Sequence, residues 1–122
     1  MALEFEKNRP EQLGYTMQSQ LVRQVSEAYT NIGYDIMSFN AEGIIYDRFI
    51  EVKVIDVTGK FYWSSNEIYV ASILKEQYYL YLVSESLANI KIKIINDPCN
   101  SFKIELIPVQ YQVHLLKTEI EI

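Results

Sequence analysis

Between Arg48 and Val83 the chain changes its hydrophobic period twice. A strand-like run reaching about Val57 gives way to Ser64-Ser65-Asn66-Glu67, the S-x-x-E spacing of a capping box. In that box the Ser and Glu side chains each satisfy a free backbone N–H of the other's residue, so a helix starts there. Ile68, Ala71 and Leu74 then give the helix a buried stripe to about Gln77, before Tyr78 to Val83, which is rich in aromatic and β-favouring residues. A strand reached through a helix is most simply a parallel crossover, here beside a three-stranded meander that ends at Phe61-Tyr62-Trp63. This unit commits the chain to an α+β or mixed α/β class.

The remaining elements are read around it. Residues 1–15 mix charge with Pro10 and Gly14 without a period, and predict a loose N-terminal arm or a capping turn. Met17, Leu21, Val25, Ala28 and Ile32 recur at steps of three and four, one face of a helix that Gly33 closes. Tyr34 to Phe39 predicts a short strand, the turn residues Asn40 to Gly43 follow, and Ile44 to about Val57 predicts a longer, antiparallel strand. After Thr58-Gly59, Phe61-Tyr62-Trp63 predicts a third strand of a meander. Ile90 to Ile95, the turn at residues 96–100 and Phe102 to Ile107 predict a C-terminal hairpin. Val109, Tyr111, Val113 and Leu115 alternate with polar residues in the manner of an edge strand with one wet face. These patterns predict one domain over residues 16–116 and an acidic tail over 117–122.

Composition restricts the function. The 122 residues suit one domain, and 49% apolar content suffices for a continuous core. The lone Cys99 cannot form an internal disulfide, and no Cys/His spacing suggests zinc. No apolar run approaches the ~18 residues of a membrane span, and the expected location is the cytoplasm. The formal charge of −5 opposes tight, independent binding to nucleic acid, which favours a basic surplus. A metal ion, a homodimer or a larger complex would offset it.

The chemistry concentrates in Gly33-Tyr34-Asp35-Ile36 and Arg48-Phe49-Ile50-Glu51-Val52-Lys53. Side chains two apart on a strand share a face, so Glu51 and Lys53 point together while Tyr46, Ile50, Val52 and Val54 form a more apolar opposite face, suited to burial against a helix. A hairpin that sets Asp35 beside Glu51 collects two carboxylates and an ammonium. Paired carboxylates repel unless a cation sits between them, and Mg2+ (or Mn2+) suits the pair, leaving coordination positions for water and phosphate oxygens. Lys53 is placed to orient the water or stabilise developing negative charge. The plainer alternative is a surface salt bridge between Glu51 and Lys53, with Asp35 ending a turn.

An Asp at the start of one strand and Glu-x-Lys in the next, with helices before and after, resembles the restriction-endonuclease-like fold. More closely, Gly33 to Ile36, Arg48 to Lys53, Ser65-x-Glu67 and Tyr78 to Val83, followed by Asp97-Pro98 and Pro108-x-x-Tyr111, resemble the domain named after the C-terminal part of the plant protein NO VEIN. The likeness covers roughly residues 17–115. It implies a restriction-endonuclease-like core, a central mixed sheet flanked by two helices with a C-terminal β-hairpin extension. It also implies metal-dependent hydrolysis of DNA phosphodiester bonds, with Asp35, Glu51 and the Val52 carbonyl as metal ligands and Lys53 as base or charge stabiliser. Host defence or mobile-element biology is the corresponding setting. Many such nucleases carry a supporting Glu on the first helix, where this chain has Gln18 and Gln20, with Glu27 two turns later. That departure leaves a second reading open, an inactive nuclease-fold module for interaction within an assembly. Arg23, Arg48 and Lys60 are candidate contacts to nucleic acid, as is Asn66 beside the capped helix end.

Overall fold

A computed structural model describes residues 2–25, 32–40, 43, 45–84 and 90–120. Helices α1 (Ala2–Gln12) and α2 (Thr16–Leu21) are followed by strands β1 (Arg23–Gln24), β2 (Ile36–Ser38) and β3 (Arg48–Ile55), helix α3 (Ser65–Leu74), and strands β4 (Tyr78–Ser84) and β5 (Ile92–Asn96). The strands form one five-stranded mixed sheet in the order β1-β2-β3-β4-β5. Only β3 and β4 run parallel, with Glu51 beside Leu80 and Lys53 beside Leu82, because α3 returns the chain to the starting end of the sheet. The helix begins where the capping box places it: the Ser64 Oγ accepts from Glu67 N at 3.2 Å, and Glu67 Oε1 accepts from Ser64 N at 2.9 Å.

Each face of the sheet has its own apolar cluster. Ile50, Tyr81, Ile36, Val22 and Ala2 meet on the α1 side, while Tyr78, Leu80, Leu82, Ala71 and Ile95 meet on the α3 side. Alternation along β3 therefore works as the period-two pattern requires, sending Ile50 and Val52 to α1 and leaving Glu51 and Lys53 on the α3 face. Full burial of a side chain such as Ile50 or Leu80 contributes about 1.5–3 kcal/mol.

The N-terminal residues are no loose arm. Helix α1 carries Glu6 into the interior, where it is fully buried and neutralised. Its Oε2 lies 3.0 Å from Arg9 Nε and 3.2 Å from Arg48 Nε, and its Oε1 accepts from the Tyr81 hydroxyl. A charge buried this way persists only when paired and hydrogen-bonded, so the network ties α1 to β3 and β4. Among the described residues three α-helices, rather than the expected two, accompany the sheet.

The long helix expected from Met17 stops at Leu21. Met17 and Leu21 are exposed, and the buried positions of α2 are polar: Gln18 Nε2 donates to the Gly43 carbonyl at 2.8 Å and Ser19 Oγ to the Lys7 carbonyl at 2.7 Å. Arg23 and Gln24 pair with Met37 and Ile36 as an edge strand, where side-chain periodicity yields to ladder hydrogen bonds. Ala28 of that expected helix lies outside the described residues.

Phe61-Tyr62-Trp63 forms no strand. Both edges of β3 are already occupied, by β2 and β4, so no ladder is open to a third meander strand there. Phe61 and Trp63 instead cap the α3-side cluster. The expected C-terminal hairpin is not formed either: Phe102 to Ile107 pairs with no strand, and Val109 to Leu115 runs extended and exposed, not as an edge strand. The turn from Asn96 enters a short 3-10 segment (Pro98–Asn100), and the Cys99 thiol donates to the Ile68 carbonyl of α3. This leads the chain over the α3 layer, where Ile104 packs. No described helix is long and apolar enough to cross a membrane.

Candidate functional site

Gly33 opens the site. Its φ of +92° is a conformation that side-chain-bearing residues rarely adopt, and a Cβ there would lie 2.5 Å from Val70 Cγ2 on α3. The chain thus passes against the crossover helix, and the Tyr78 hydroxyl fastens it by donating to the Gly33 carbonyl at 2.9 Å. Two residues later Asp35 enters the sheet. Its N–H donates to the Ile50 carbonyl at 2.7 Å, and its own carbonyl accepts from Val25 N at 2.8 Å. One step past the Ile36 and Ile50 pair, the register sets Asp35 opposite Glu51.

Opposite residues on an antiparallel pair have Cβ atoms about 4.5–5.5 Å apart, close enough for their carboxyls to meet. They do so here, with the Glu51 carboxyl hydrogen-bonded to that of Asp35. Asp35 Oδ2 also accepts the Val52 N–H at 2.8 Å, standing where the next ladder carbonyl would be. Glu51 is only 5% exposed. Burial pushes its pKa up to about 9, helped by the hydrogen bond and by repulsion from Asp35 and Glu67, with Lys53 opposing. Glu51 therefore keeps its proton well above the ordinary carboxylate range.

Lys53 shares this face but is directed to α3. Its Nζ lies 2.8 Å from Glu67 Oε1, both side chains being mostly shielded from water. The same Oε1 closes the capping box, so the helix start that the sequence marked also positions a third acid at the site. Burial pushes Glu67 upward, but the Lys53 ammonium and the Ser64 N–H outweigh it and hold the carboxyl below its ordinary range. The S-x-x-E spacing gave notice of Glu67 as a cap, whereas its role as partner of Lys53 depends on α3 crossing above β3.

The structure therefore brings Asp35, Glu51 and Lys53 together and adds Glu67. No group of three or more His, Cys, Asp or Glu suited to a metal occurs among the described residues, and Glu27 lies outside them. Val52 is the residue between Glu51 and Lys53, and its N–H is engaged by Asp35.

Among the expected nucleic-acid contacts, Arg48 requires correction. It is buried, bound to Glu6, to the Tyr81 hydroxyl and to Asn40 Oδ1, with its guanidinium 3.8 Å above the Tyr79 ring. Its position at the start of β3 puts it on the α1 face, opposite Glu51, so the same alternation that builds the site turns Arg48 inward. Arg23 is exposed on β1, Lys60 is exposed with its Nζ 5.8 Å from the Tyr62 ring, and Asn66 is exposed in the first turn of α3.

Residues 1–95 match the family model described as Protein NO VEIN, C-terminal. The match takes in α1, which the motif resemblance from residue 17 onward omitted, and ends within β5. No curated protein and no solved structure matches the chain.

Proposed function

The chain belongs to the NO VEIN C-terminal domain family, and from that premise we propose that it is a restriction-endonuclease-like, metal-dependent phosphodiesterase acting on DNA. The observation that carries the reading is the cross-strand placement of Asp35 opposite the buried Glu51, on the same strand face as Lys53. A buried acid pair destabilises the folded chain when ionised, and a divalent cation removes that cost. Asp35 and Glu51 would hold Mg2+ or Mn2+, with the Val52 carbonyl as a further ligand. When bound, such an ion supplies charge for a scissile phosphate and lowers the pKa of a water.

The chain's own residues then have distinct tasks. Asp35 is anchored by the Val52 N–H, so its carboxylate is set in place before any substrate arrives. Glu51 would hold the cation beside Asp35. Lys53 presents an ammonium to the negative charge that develops as the phosphodiester is attacked, while Glu67 limits where that ammonium can travel. Arg23 and Lys60 supply exposed cations for the backbone of the nucleic acid, and Asn66 a polar contact near the start of α3.

A second reading, an inactive module kept for interaction, is favoured by one specific observation: Lys53 is already ion-paired to Glu67. Cleavage of single- and double-stranded DNA and of RNA, with Mg2+ or Mn2+ and with chelator, separates the two. The proposal expects metal-dependent cutting that falls at least about 100-fold in both Asp35→Ala and Lys53→Ala. Absence of cutting together with absence of metal binding by calorimetry would establish the interaction module instead.

A further inference from the structure

The C-terminal segment has the pattern of a strand and lies in no sheet. Beyond Ile104, which packs on the α3-side cluster, Leu106, Val109, Tyr111, Val113, Leu115 and Leu116 are all exposed, Val113 at 86%. Eleven consecutive residues from Leu106 to Leu116 carry no Asp, Glu, Lys or Arg. Val109 to Leu115 alternates apolar with Gln110, Gln112 and His114, the signature of a strand with one face covered.

The same chain also carries an open strand edge. Among the described residues β5 ends the sheet and pairs only with β4. Its residues Lys91 and Asp97 bond to β4, through Lys91 O with Ser84 N and Asp97 N with Tyr78 O. Hydrogen-bonding direction alternates along an antiparallel strand, so the N–H and C=O groups of Ile92, Ile94 and Asn96 face outward. Such an edge pairs readily with an added strand.

We propose that this C-terminal arm is a dimerisation element, its 109–115 segment adding to β5 of a second copy while the second copy's arm returns the exchange. The arm's anchor at Ile104 lies on the α3 layer, so the cis hairpin of Phe102 to Ile107 with β5 is not taken: Phe102 is fully exposed, and Lys103 N bonds locally to Ser101 Oγ. From Glu105 to Ile120 the arm can span roughly 50 Å at ~3.3 Å per residue, enough to reach a neighbour. Lys93 is exposed on the acceptor strand, and Glu105 and Lys117 bracket the uncharged segment. Area is sufficient. The four apolar side chains of the 109–115 segment, at roughly 60–120 Å² each, remove roughly 240–480 Å² per arm from water. With the acceptor surfaces and the second arm included, the total reaches the ~1,600 Å² of an ordinary stable interface. A two-fold exchange closes on itself and leaves no unpaired copy.

Sedimentation velocity on the full chain tests this, alongside a Val109→Asp/Val113→Asp variant whose positions are exposed, and an Ile94→Pro variant that removes an outward N–H from the acceptor edge. The expected result is a dimer for the unsubstituted chain. The arm variant is expected to be a monomer with an unchanged circular dichroism spectrum and a dissociation constant raised at least about 100-fold. A monomeric unsubstituted chain overturns the proposal, as does a dimer that survives the arm substitutions, or a ladder of higher oligomers in place of a closed pair. Should Ile94→Pro fail to fold, the arm variant alone decides, because it leaves β5 intact.

Discussion

Replacing Glu51 by Gln keeps the shape of the side chain and its contact with Asp35 while removing the ability to ionise. In the parent chain the Glu51 carboxyl is pushed up to about 9, chiefly by burial and then by Asp35, from an ordinary value of 4.5. Between those two pH values the folded state holds a proton that the unfolded chain has released. Stability therefore falls as pH rises through this window, and levels off above it. The full slope is about 1.4 kcal/mol per pH unit, so the interval from pH 5.5 to 7.5 gives about 3 kcal/mol, reduced to about 1–2 kcal/mol by solvent at the site and by coupling to Asp35. Glu51→Gln lacks this titration. Its stability relative to the parent should rise by about 1–2 kcal/mol over that interval, equivalent to a melting-temperature gain of several degrees, on the order of 3–6 °C per kcal/mol. Urea or thermal unfolding in chelator at closely spaced pH values measures it. Parallel stability curves for the two chains would refute the raised Glu51 carboxyl, and with it the electrostatic basis of the metal proposal.

Other outcomes follow from single contacts. Magnesium at pH 8 should raise the melting temperature of the parent chain and leave Glu51→Gln unmoved in differential scanning fluorimetry, since binding to the folded state alone is stabilising; an equal shift in both chains would place the ion elsewhere. Gly33→Ala should cost about 2–4 kcal/mol in urea unfolding, from the positive φ together with the contact on Val70. Adding Val70→Ala should recover part of that loss, and no recovery would mean that the close approach is unimportant. Glu6→Ala leaves Arg9 and Arg48 without their shared carboxylate and should destabilise the chain by about 3–5 kcal/mol; a loss below about 1 kcal/mol would show that the network is solvated in solution. Ser64→Ala should cost about 1 kcal/mol through the cap, measured by the same unfolding, with an unchanged midpoint counting against the box.

Much of what positions the candidate site was readable in order along the chain. The capping box at Ser64 and Glu67 marked the start of α3 and a crossover to the strand after it, but the strand expected at Phe61 to Trp63 stood between β3 and α3, so the parallel pairing of β3 with β4 was not among the expectations. Period-two alternation along β3 put Glu51 and Lys53 on one face because a strand offers no other arrangement. Local rules of this kind concern neighbours within a few residues, and they apply before the rest of the molecule is known.

What lay beyond them depended on contacts between distant residues. Residues 2–12 show no clear stripe, yet form a helix because Glu6 meets Arg48 and Tyr81, distant in sequence, and is neutralised there. Met17 and Leu21 have helical spacing but face water, since backbone carbonyls at Gly43 and Lys7 were available to bury Gln18 and Ser19 instead. Phe61 to Trp63 has strand composition without a strand, because β2 and β4 had already taken both edges of β3. The same reason governs function. The sequence by itself determined which acids and which lysine share a strand face, while only the tertiary structure decided that Asp35 meets Glu51, that Glu67 meets Lys53, and that Arg48 is turned inward, because each of these contacts joins elements whose approach is set by the packing of the whole sheet.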